Sequence, residues 1–347
     1  MTALLIPELE FPYAAPPAPG ETLEVAPGVL WLRMPLPFAL DHINLWLLRD
    51  GEGYALVDTG YGDAATRTLW ESHLAGTLRG AAITRIVATH YHPDHLGNAA
   101  WLGARFGLLP EMTQTEFLQA HAVHGNHAGS GVDDYCAHFR LHGMAEDDVA
   151  ALAARGNRYR HGAPELPAHY HRILGGDRIT LGERTFTVIP GYGHSPEHAA
   201  LHAAAPEPLL ISGDMLLPRI STNVAVGPAD NEGDPLARFL ASLAPFEALP
   251  PDTLVLPSHG LPFRGASLRV TALRAHHVAR LGELEQALAG RTPQSAASLL
   301  PTLFRRPLDL QQRFFAMGEA IAHLNHLWHA GRARRVVGEG GSVGFTA

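Results

Sequence analysis

Four side chains that can bind a metal ion fall within the six consecutive residues His90-Tyr91-His92-Pro93-Asp94-His95. They follow the apolar run from Ile83 to Thr89, which predicts a buried strand, and a helical pattern comes after them. Alternate residues of such a loop, His90 and His92, can face one metal ion. Asp94 and His95, further round the turn, then face a second position. The spacing therefore predicts a metal site in a strand-to-helix loop.

Three further groups of metal-binding side chains come at the ends of later predicted strands. They are Gly193-His194-Ser195-Pro196-Glu197-His198, Ser212-Gly213-Asp214 and Pro257-Ser258-His259-Gly260. A single polar residue at a strand end is weak evidence, because such residues often form turns. Loops at one edge of a sheet gather side chains from several strands, so the repetition predicts that these groups converge on one site.

The composition agrees with a metal site made of imidazole and carboxylate. The 347 residues include 26 basic residues, all of them Arg, 34 acidic residues and 22 His, and the net charge is −8. Without Lys, Schiff-base chemistry, a Walker A phosphate loop and a Ser-Lys nucleophile are excluded. The one cysteine, Cys136, excludes a disulfide framework and zinc sites that need several thiolates.

The elements that must position these side chains alternate between strands and helices. Strand patterns run over Val25 to Met34, Ile43 to Leu48, Tyr54 to Val57, Arg178 to Leu181, Thr185 to Ile189, Ala199 to Ala203, Leu209 to Ser212 and Thr253 to Leu256. Helical spacing appears at Ala64 to Leu78 and at Leu96 to Phe106. This alternation predicts an α/β layering. Residues from about 107 to 172 are read as a helical insertion, with helices at Thr113 to His124 and Ala145 to Arg155.

The last part of the chain has a different pattern and a different charge. It predicts helices at Ser267 to Ala289, Pro293 to Phe304 and Leu308 to Ala330, then a hairpin from Arg334 to Val337 and Ser342 to Phe345. Three helices and a hairpin are typical of a winged helix. Residues 265–347 carry 10 Arg against 5 acidic residues, whereas the rest of the chain has a net charge of −13. We therefore predict two domains, residues 1–264 and 265–347.

The order of these motifs resembles that of the metallo-β-lactamase superfamily. Its His-x-His-x-Asp-His signature stands at residues 90–95, and its Gly-His-Ser/Thr, Gly-Asp and final His motifs follow at 193–195, 213–214 and His259. Val57-Asp58-Thr59-Gly60 matches the early strand-end motif of the family. The resemblance covers residues 22–264. It implies an αββα sandwich with metal ions bound at one edge of its two sheets.

The resemblance also implies a set of metal ligands. The implied ligands are His90, His92 and His194 for a first metal, Asp94, His95 and His259 for a second, and Asp214 as a bridge between them. The two divalent ions would be zinc, although iron and manganese also accept such ligands. Asp58 is expected to hydrogen-bond within the site and to fix the orientation of a ligand.

The same resemblance implies hydrolysis by a metal-bound hydroxide, which needs no protein nucleophile. Asp94 is expected to orient this nucleophile and to carry its proton, and His198 to donate a proton or to bind substrate. Weaker candidates for substrate contacts are His42, Tyr170, Arg219 and Asn223.

The tail resembles the winged helix of the β-lactamase-like protein 2 subgroup, for which endoribonuclease activity is known. Two differences disfavour other branches of the superfamily. N-acyl homoserine lactonases have a Tyr where this chain has Leu217, and redox diiron members have a Glu where it has His92. We predict hydrolysis of an ester, thioester or lactone carbonyl in a small molecule. The alternatives are an RNA-cutting phosphodiesterase that uses the basic tail and a mono-iron persulfide dioxygenase.

Nucleic acid is the less favoured partner, because a catalytic region with a charge of −13 repels a polyanion. The candidate contacts to RNA are Arg305, Arg306, Arg332, Arg334 and Arg335. No run of about 18 apolar residues occurs, and the segment Met1 to Gly20 lacks the features of a signal peptide. A cytoplasmic location without a membrane partner is therefore expected, and the helical tail is compatible with a homodimer.

Overall fold

A computed structural model describes residues 8–290 and 292–347. The segment Met1 to Gly20, for which no signal peptide is predicted, therefore lies partly outside the described residues. Seven strands form the first sheet, in the order β1-β2-β3-β4-β5-β6-β7. They are β1 (Leu23–Ala26), β2 (Val29–Pro35), β3 (His42–Asp50), β4 (Gly53–Val57), β5 (Ile83–Val87), β6 (Glu111–Met112) and β7 (His171–Arg172). The strands from β1 to β4 pair antiparallel, and those from β4 to β7 pair parallel.

Five strands form the second sheet, in the order β12-β11-β10-β9-β8. They are β8 (Arg178–Leu181), β9 (Arg184–Gly191), β10 (His198–Ala203), β11 (Leu209–Gly213) and β12 (Leu254–Pro257). Only the pair of β11 and β12 is parallel. The carboxyl ends of these two strands therefore lie at the same edge of the sheet, and each leads directly into one of the predicted metal-binding groups.

The two sheets pack face to face around a core of large apolar side chains. Trp31 and Trp46 of the first sheet stack at 6.0 Å between ring centroids, and they belong to one buried cluster with Phe186 and Leu201 of the second sheet. Burial alternates along β8, as the two-residue period of a strand requires.

Helices cover the outer face of each sheet. The helices before the tail are α1 (Ala64–Ala75), α2 (Pro93–Leu96), α3 (Ala99–Phe106), α4 (Gln114–His124), α5 (Val132–Leu141), α6 (Glu146–Arg155), α7 (Tyr159–Gly162), α8 (Pro235–Ser242) and α9 (Ala244–Glu247). Trp70 of α1 and Leu102 of α3 pack against Leu32 and Leu45 of the first sheet. Phe239 of α8 lies in the cluster that covers the second sheet. This layering confirms the predicted αββα sandwich.

The insertion differs from its prediction in two details. Helix α5 is absent from the predicted elements: it follows the Gly-rich residues 125–131, although Val132, Cys136 and Phe139 have helical spacing. The strands β6 and β7 were not predicted either, since two residues are too few to show a period. These two short strands extend the first sheet at the beginning and the end of the insertion.

The tail contains α10 (Ala266–Leu288), α11 (Ala296–Leu303), α12 (Leu310–His329), β13 (Arg334–Val337) and β14 (Val343–Thr346). These are the three helices and the hairpin that the sequence indicates, and β13 pairs antiparallel with β14. Leu273 of α10 and Ile321 of α12 share one buried cluster with Leu210 and Val255 of the second sheet. The tail therefore packs on the sandwich through a continuous core, and the boundary at residue 265 and the winged-helix classification stay predictions.

Among the helices of the described residues, not one combines the length and the apolar character needed to cross a bilayer.

Candidate metal centre

The local backbone of β4, β5 and α2 brings the first motif to the edge of the sandwich. β5 ends at Val87, and Pro93 begins α2, where the fixed φ of proline suits the first helical position. Asp58, directly after β4, adopts a left-handed backbone with φ of 61° and donates its N–H to the Val87 carbonyl at 2.8 Å. The ends of both strands are thus joined where the chain turns into residues 89–95.

The first cluster of donor atoms contains His90, His92, His194 and Asp214, whose ligand atoms all lie within 4.8 Å of one another. The Nε2 atom of His90 lies 2.9 Å from Nδ1 of His92 and 3.2 Å from Nε2 of His194. Oδ2 of Asp214 lies 3.2 Å from Nε2 of His194. The four predicted residues, which come from three separate loops, therefore converge.

The second cluster contains Asp94, His95 and His259, within the same limit of 4.8 Å. Oδ2 of Asp94 lies 3.5 Å from Nε2 of His259 and 3.7 Å from Nε2 of His95. The remaining oxygen of Asp214, Oδ1, lies 3.4 Å from His259 and 3.5 Å from His95. Asp214 thus presents one carboxylate oxygen to each cluster.

Both clusters fit a divalent metal ion. Zinc with nitrogen and oxygen ligands at about 2.1 Å in a tetrahedron needs ligand atoms about 3.4 Å apart, and the separations above lie close to this value. Nε2 of His95 and Oδ1 of Asp214 are buried and find no hydrogen-bond partner among the described residues. Buried polar atoms are normally satisfied, so these two atoms fit a site that binds a cation.

In four of the histidines, Nδ1 contacts an oxygen atom outside the clusters, which leaves Nε2 of each ring facing its cluster. The contacts are His90 to Oγ1 of Thr89 at 3.0 Å, His95 to Oδ2 of Asp58 at 2.8 Å, His194 to the Asn223 carbonyl at 2.8 Å and His259 to the His42 carbonyl at 2.7 Å. Such contacts orient the ring and select the tautomer that can bind a metal.

The electrostatics of the site separate the histidines into two groups. Burial, followed by repulsion from the neighbouring imidazoles, lowers the pKa of His90 and His92 well below the usual value. Burial acts in the same direction on His95, but Asp58, Asp94 and Asp214 raise its pKa well above normal. Neutral His90 and His92 have the ligand form, and His95 is the imidazole with the most negative surroundings.

His198 lies in the site but does not face outward. It is fully buried in β10, and its ring centroid is 4.9 Å from that of His90. Its Nε2 atom accepts the backbone N–H of Asp214 at 3.2 Å, and burial lowers its pKa well below normal. The ring therefore packs against the turn that carries Asp214, and the proton-transfer role of His198 remains a prediction.

The four predicted substrate contacts occupy different positions. His42 accepts the Gly260 N–H at 2.8 Å, and its ring lies 6.0 Å from that of His259. The backbone carbonyl of Asn223 contacts Nδ1 of His194. Tyr170 stacks on Phe117 of the insertion at 4.1 Å, and exposed Arg219 lies over the ring of Phe11 at 5.5 Å. His42 and Asn223 are thus joined to predicted ligands, whereas Tyr170 and Arg219 have other partners.

Sequence reasoning missed the contribution of the insertion. Glu116 of α4 is fully buried and hydrogen-bonds to both histidine loops, and burial raises its pKa to about 6. Tyr159 of α7 donates to the Tyr91 carbonyl at 2.6 Å. An acidic residue in the first turn of a helix is common because it complements the helix dipole, so the sequence carried no signal that Glu116 turns inward.

Comparison with known proteins agrees with the fold. The model of the metallo-beta-lactamase superfamily matches residues 39–259, and that of the metallo-beta-lactamase-like C-terminal domain matches residues 281–347. A beta-lactamase domain protein from Burkholderia ambifaria, of known crystal structure, is 46% identical over 98% of each chain, with a TM-score of 0.90.

Two curated relatives carry names that state an activity. Hydroxyacylglutathione hydrolase of Fuscovulum blasticum is 28% identical over 64% of this chain and 67% of its own length. Acyl-coenzyme A thioesterase MBLAC2 of Bos taurus is 26% identical over 54% of this chain and 63% of its own length. The family match covers all of the predicted metal ligands, from His90 to His259. The chain therefore belongs to the metallo-beta-lactamase superfamily, as a metal-dependent hydrolase.

Proposed function

We propose that this chain hydrolyses a thioester of a small carrier molecule with the help of two divalent metal ions. The observation that carries the proposal is the division of the Asp214 carboxylate between two clusters, with Oδ2 at 3.2 Å from His194 and Oδ1 at 3.4 Å from His259. A carboxylate with this arrangement can bridge two ions that share a water molecule.

His90, His92 and His194 would hold the first metal, Asp94, His95 and His259 the second, and Asp214 both. Zinc is the metal that this donor set favours, with iron and manganese as the other candidates. Two such ions would supply a hydroxide at neutral pH and positive charge for the oxyanion that develops on the substrate. Asp58 keeps the His95 ring in place through its 2.8 Å contact.

Asp94 is the residue that we assign to the attacking water. Its side chain keeps 16% of its surface exposed, more than that of His259 at 3%, so it can contact water and substrate at the mouth of the site. Its carboxylate orients the water and accepts its proton, as a general base must.

The thioester assignment rests on the leaving group and on the relatives. A thiol has an ordinary pKa of about 8.5, so a thiolate leaves without a dedicated general acid. This agrees with the position of His198, whose Nε2 atom is occupied by the Asp214 N–H. A relative named hydroxyacylglutathione hydrolase and another named acyl-coenzyme A thioesterase support the same class of substrate.

The experiment is a substrate panel on protein whose metal content has been measured. Acyl-glutathiones, acyl-coenzyme A thioesters, matched oxygen esters and an aryl phosphodiester are compared by kcat/KM. We expect about two metals per chain, a preference for thioesters of at least about 10²-fold, and no turnover by Asp214→Ala. The control is Asp230→Ala, which removes an exposed carboxylate that pairs with Arg238.

Two outcomes would contradict the proposal. Faster cleavage of the phosphodiester than of every thioester would favour a phosphodiesterase. One tightly bound iron per chain together with oxygen consumption would favour a dioxygenase.

A further inference from the structure

A carboxylate is buried between the two loops that carry the histidines of the first cluster. Glu116 lies in the first turn of α4 and has no exposed surface. Its Oε2 atom accepts the backbone N–H of Tyr91 at 3.0 Å. Its Oε1 atom accepts the hydroxyl of Ser195 and the backbone N–H of Glu197, both at 2.6 Å. One oxygen is therefore bound by each loop.

The positions of these partners connect Glu116 to the metal ligands. Tyr91 stands between His90 and His92, and Ser195 directly follows His194. These three histidines are the imidazoles of the first cluster. Glu116 thus links two loops that are far apart in the chain, since His90 and His194 are separated by 104 residues.

The chemistry of the contact requires a carboxylate. Three donors point at Glu116 from two sides, and an ionised carboxylate offers acceptors at both oxygens. A carboxamide of the same shape offers an acceptor at one side only, and its NH₂ group would face an N–H or O–H donor at the other. A buried donor without an acceptor is costly, so Gln at this position would displace one loop.

We infer that Glu116 is a positioning residue, which brings His90, His92 and His194 to the separation that the first metal ion requires. The inference rests on the proposed metal-dependent function. It also assigns a role to the Ser195 hydroxyl of the Gly-His-Ser motif, which is to bind Glu116. The second cluster has no hydrogen bond to Glu116 among the described residues, so the effect is specific to the first metal.

The test measures metal binding by the full chain. Metal-free wild type and Glu116→Gln are titrated with Zn²⁺ against a chromophoric chelator and with Co²⁺ followed by its visible absorption. We expect the affinity of one of the two sites to fall about 10- to 100-fold, as for other residues that orient metal ligands. The Co²⁺ spectrum should change as in His194→Ala and differ from that of His259→Ala.

Three further variants separate the causes. Glu116→Asp keeps the charge but is too short to bind both loops, so we expect it to restore the affinity only in part. Ser195→Ala removes one of the three donors and should give a smaller loss at the same site. Glu146→Gln changes an exposed glutamate of the insertion and serves as the control. If Glu116→Gln does not fold, Ser195→Ala and Glu116→Asp decide the question.

Unchanged affinity of both sites in a folded Glu116→Gln variant would overturn the inference. An equal loss at both sites would also overturn it, because it would indicate general destabilisation. The proposed function is judged separately, from thioester turnover by the wild type. A wild type that binds two metals but cleaves no thioester would refute the function and leave the role of Glu116 supported by the binding data.

Discussion

Asp58 shows how much a single buried residue contributes to the site. Its φ of 61° is a left-handed conformation, which Asp and Asn tolerate better than other residues with a side chain. Its Oδ1 atom accepts the Thr89 N–H at 2.7 Å, and Oδ2 accepts Nδ1–H of His95 at 2.8 Å. In the neutral ring the second contact places the proton on Nδ1, and Nε2 is then the atom that can bind a metal.

Asp58→Asn is therefore expected to weaken metal binding with little change of backbone. Asn keeps the size and the left-handed conformation, but an amide NH₂ group opposite His95 would favour the tautomer with its proton on Nε2. We expect a loss of about 10- to 100-fold in the affinity of the second site, measured by competition with a chelator. Asp50→Asn, at the end of β3, is the control, and equal affinities of Asp58→Asn and wild type would refute this role.

Three glycines let the insertion approach the first motif closely. The N–H of Gly62 donates to the carbonyl of Gly162 in α7 at 2.7 Å. A Cβ atom on Gly97 would lie 2.1 Å from that carbonyl oxygen and 2.6 Å from the nitrogen of Gly62. The contacts are all to backbone, which cannot rotate away. α7 and the end of α2 are thus packed at a distance that only glycine permits.

We predict that Gly97→Ala lowers the free energy of unfolding by about 1–3 kcal/mol, the usual effect of overpacking. Its φ of −58° is ordinary, so the loss would come from contact alone. Urea unfolding of the metal-free protein measures it. Gly282→Ala, in α10 with open space around it, should be neutral or stabilising by up to about 1 kcal/mol. Equal stabilities of Gly97→Ala and wild type would contradict the close packing.

Helices α10 and α12 are joined by a pair of buried histidines. Nδ1 of His277 lies 3.1 Å from Nε2 of His323, and Nδ1 of His323 donates to the Glu319 carbonyl at 2.8 Å. Burial lowers the pKa of His323 to about 4 and that of His277 to about 2. His276 and Arg280 lower the pKa of His323 further, since both oppose a positive charge there. The pair is therefore neutral in the folded protein.

This pair should make the protein less stable in acid. Below pH 6.5 the unfolded chain binds protons that the folded pair excludes, so its stabilising contribution is complete above pH 6.5 and decreases as the pH falls toward 4. Each histidine contributes up to about 1.4 kcal/mol per pH unit in this range. Urea unfolding of His277→Leu between pH 7.5 and 5 should show a smaller pH dependence than wild type. A slope as steep as that of wild type would contradict the prediction, and His169→Leu, at an exposed position, is the control.

At the scale of the whole molecule, several arginines of the tail form ion pairs with carboxylates of the same chain. Arg332 forms a two-point contact with Glu285, with distances of 2.7 and 2.6 Å. Arg335 lies 3.0 Å from Glu232 of the catalytic region, and Arg305 lies 3.3 Å from Glu283. Three of the five arginines predicted as RNA contacts are thus paired with carboxylates of the same chain.

We therefore predict weak RNA binding. Non-specific binding usually has a Kd of about 10⁻⁴–10⁻⁶ M at physiological salt, and we expect the full chain to bind a labelled single-stranded RNA more weakly than this range. Fluorescence anisotropy at several salt concentrations measures it, with Arg334→Ala/Arg335→Ala as the comparison. Submicromolar binding that falls steeply with salt and is lost in the double variant would instead support the phosphodiesterase alternative.

The elements with a strong local signal could be predicted from the sequence. The hairpin strand Arg334–Val337 and the helices of the tail agree with their patterns within a few residues, because apolar periodicity is a local property. Helix α5 and the two-residue strands β6 and β7 could not be found in this way. Their position depends on pairing with distant segments and on packing against the sandwich, and a short local pattern does not contain these contacts.

By itself, the sequence determined which residue types form the site and in which order they occur, because each ligand group stands directly after a strand with a clear apolar pattern. Only the tertiary structure decided which atoms face each other. The division of the Asp214 oxygens between two clusters and the position of Glu116 between two histidine loops are contacts between separate segments of the chain, and Glu116 and Ser195 are 79 residues apart. Such contacts depend on how the sheets and the insertion pack together. Each local pattern alone allows many arrangements, whereas the complete fold permits one.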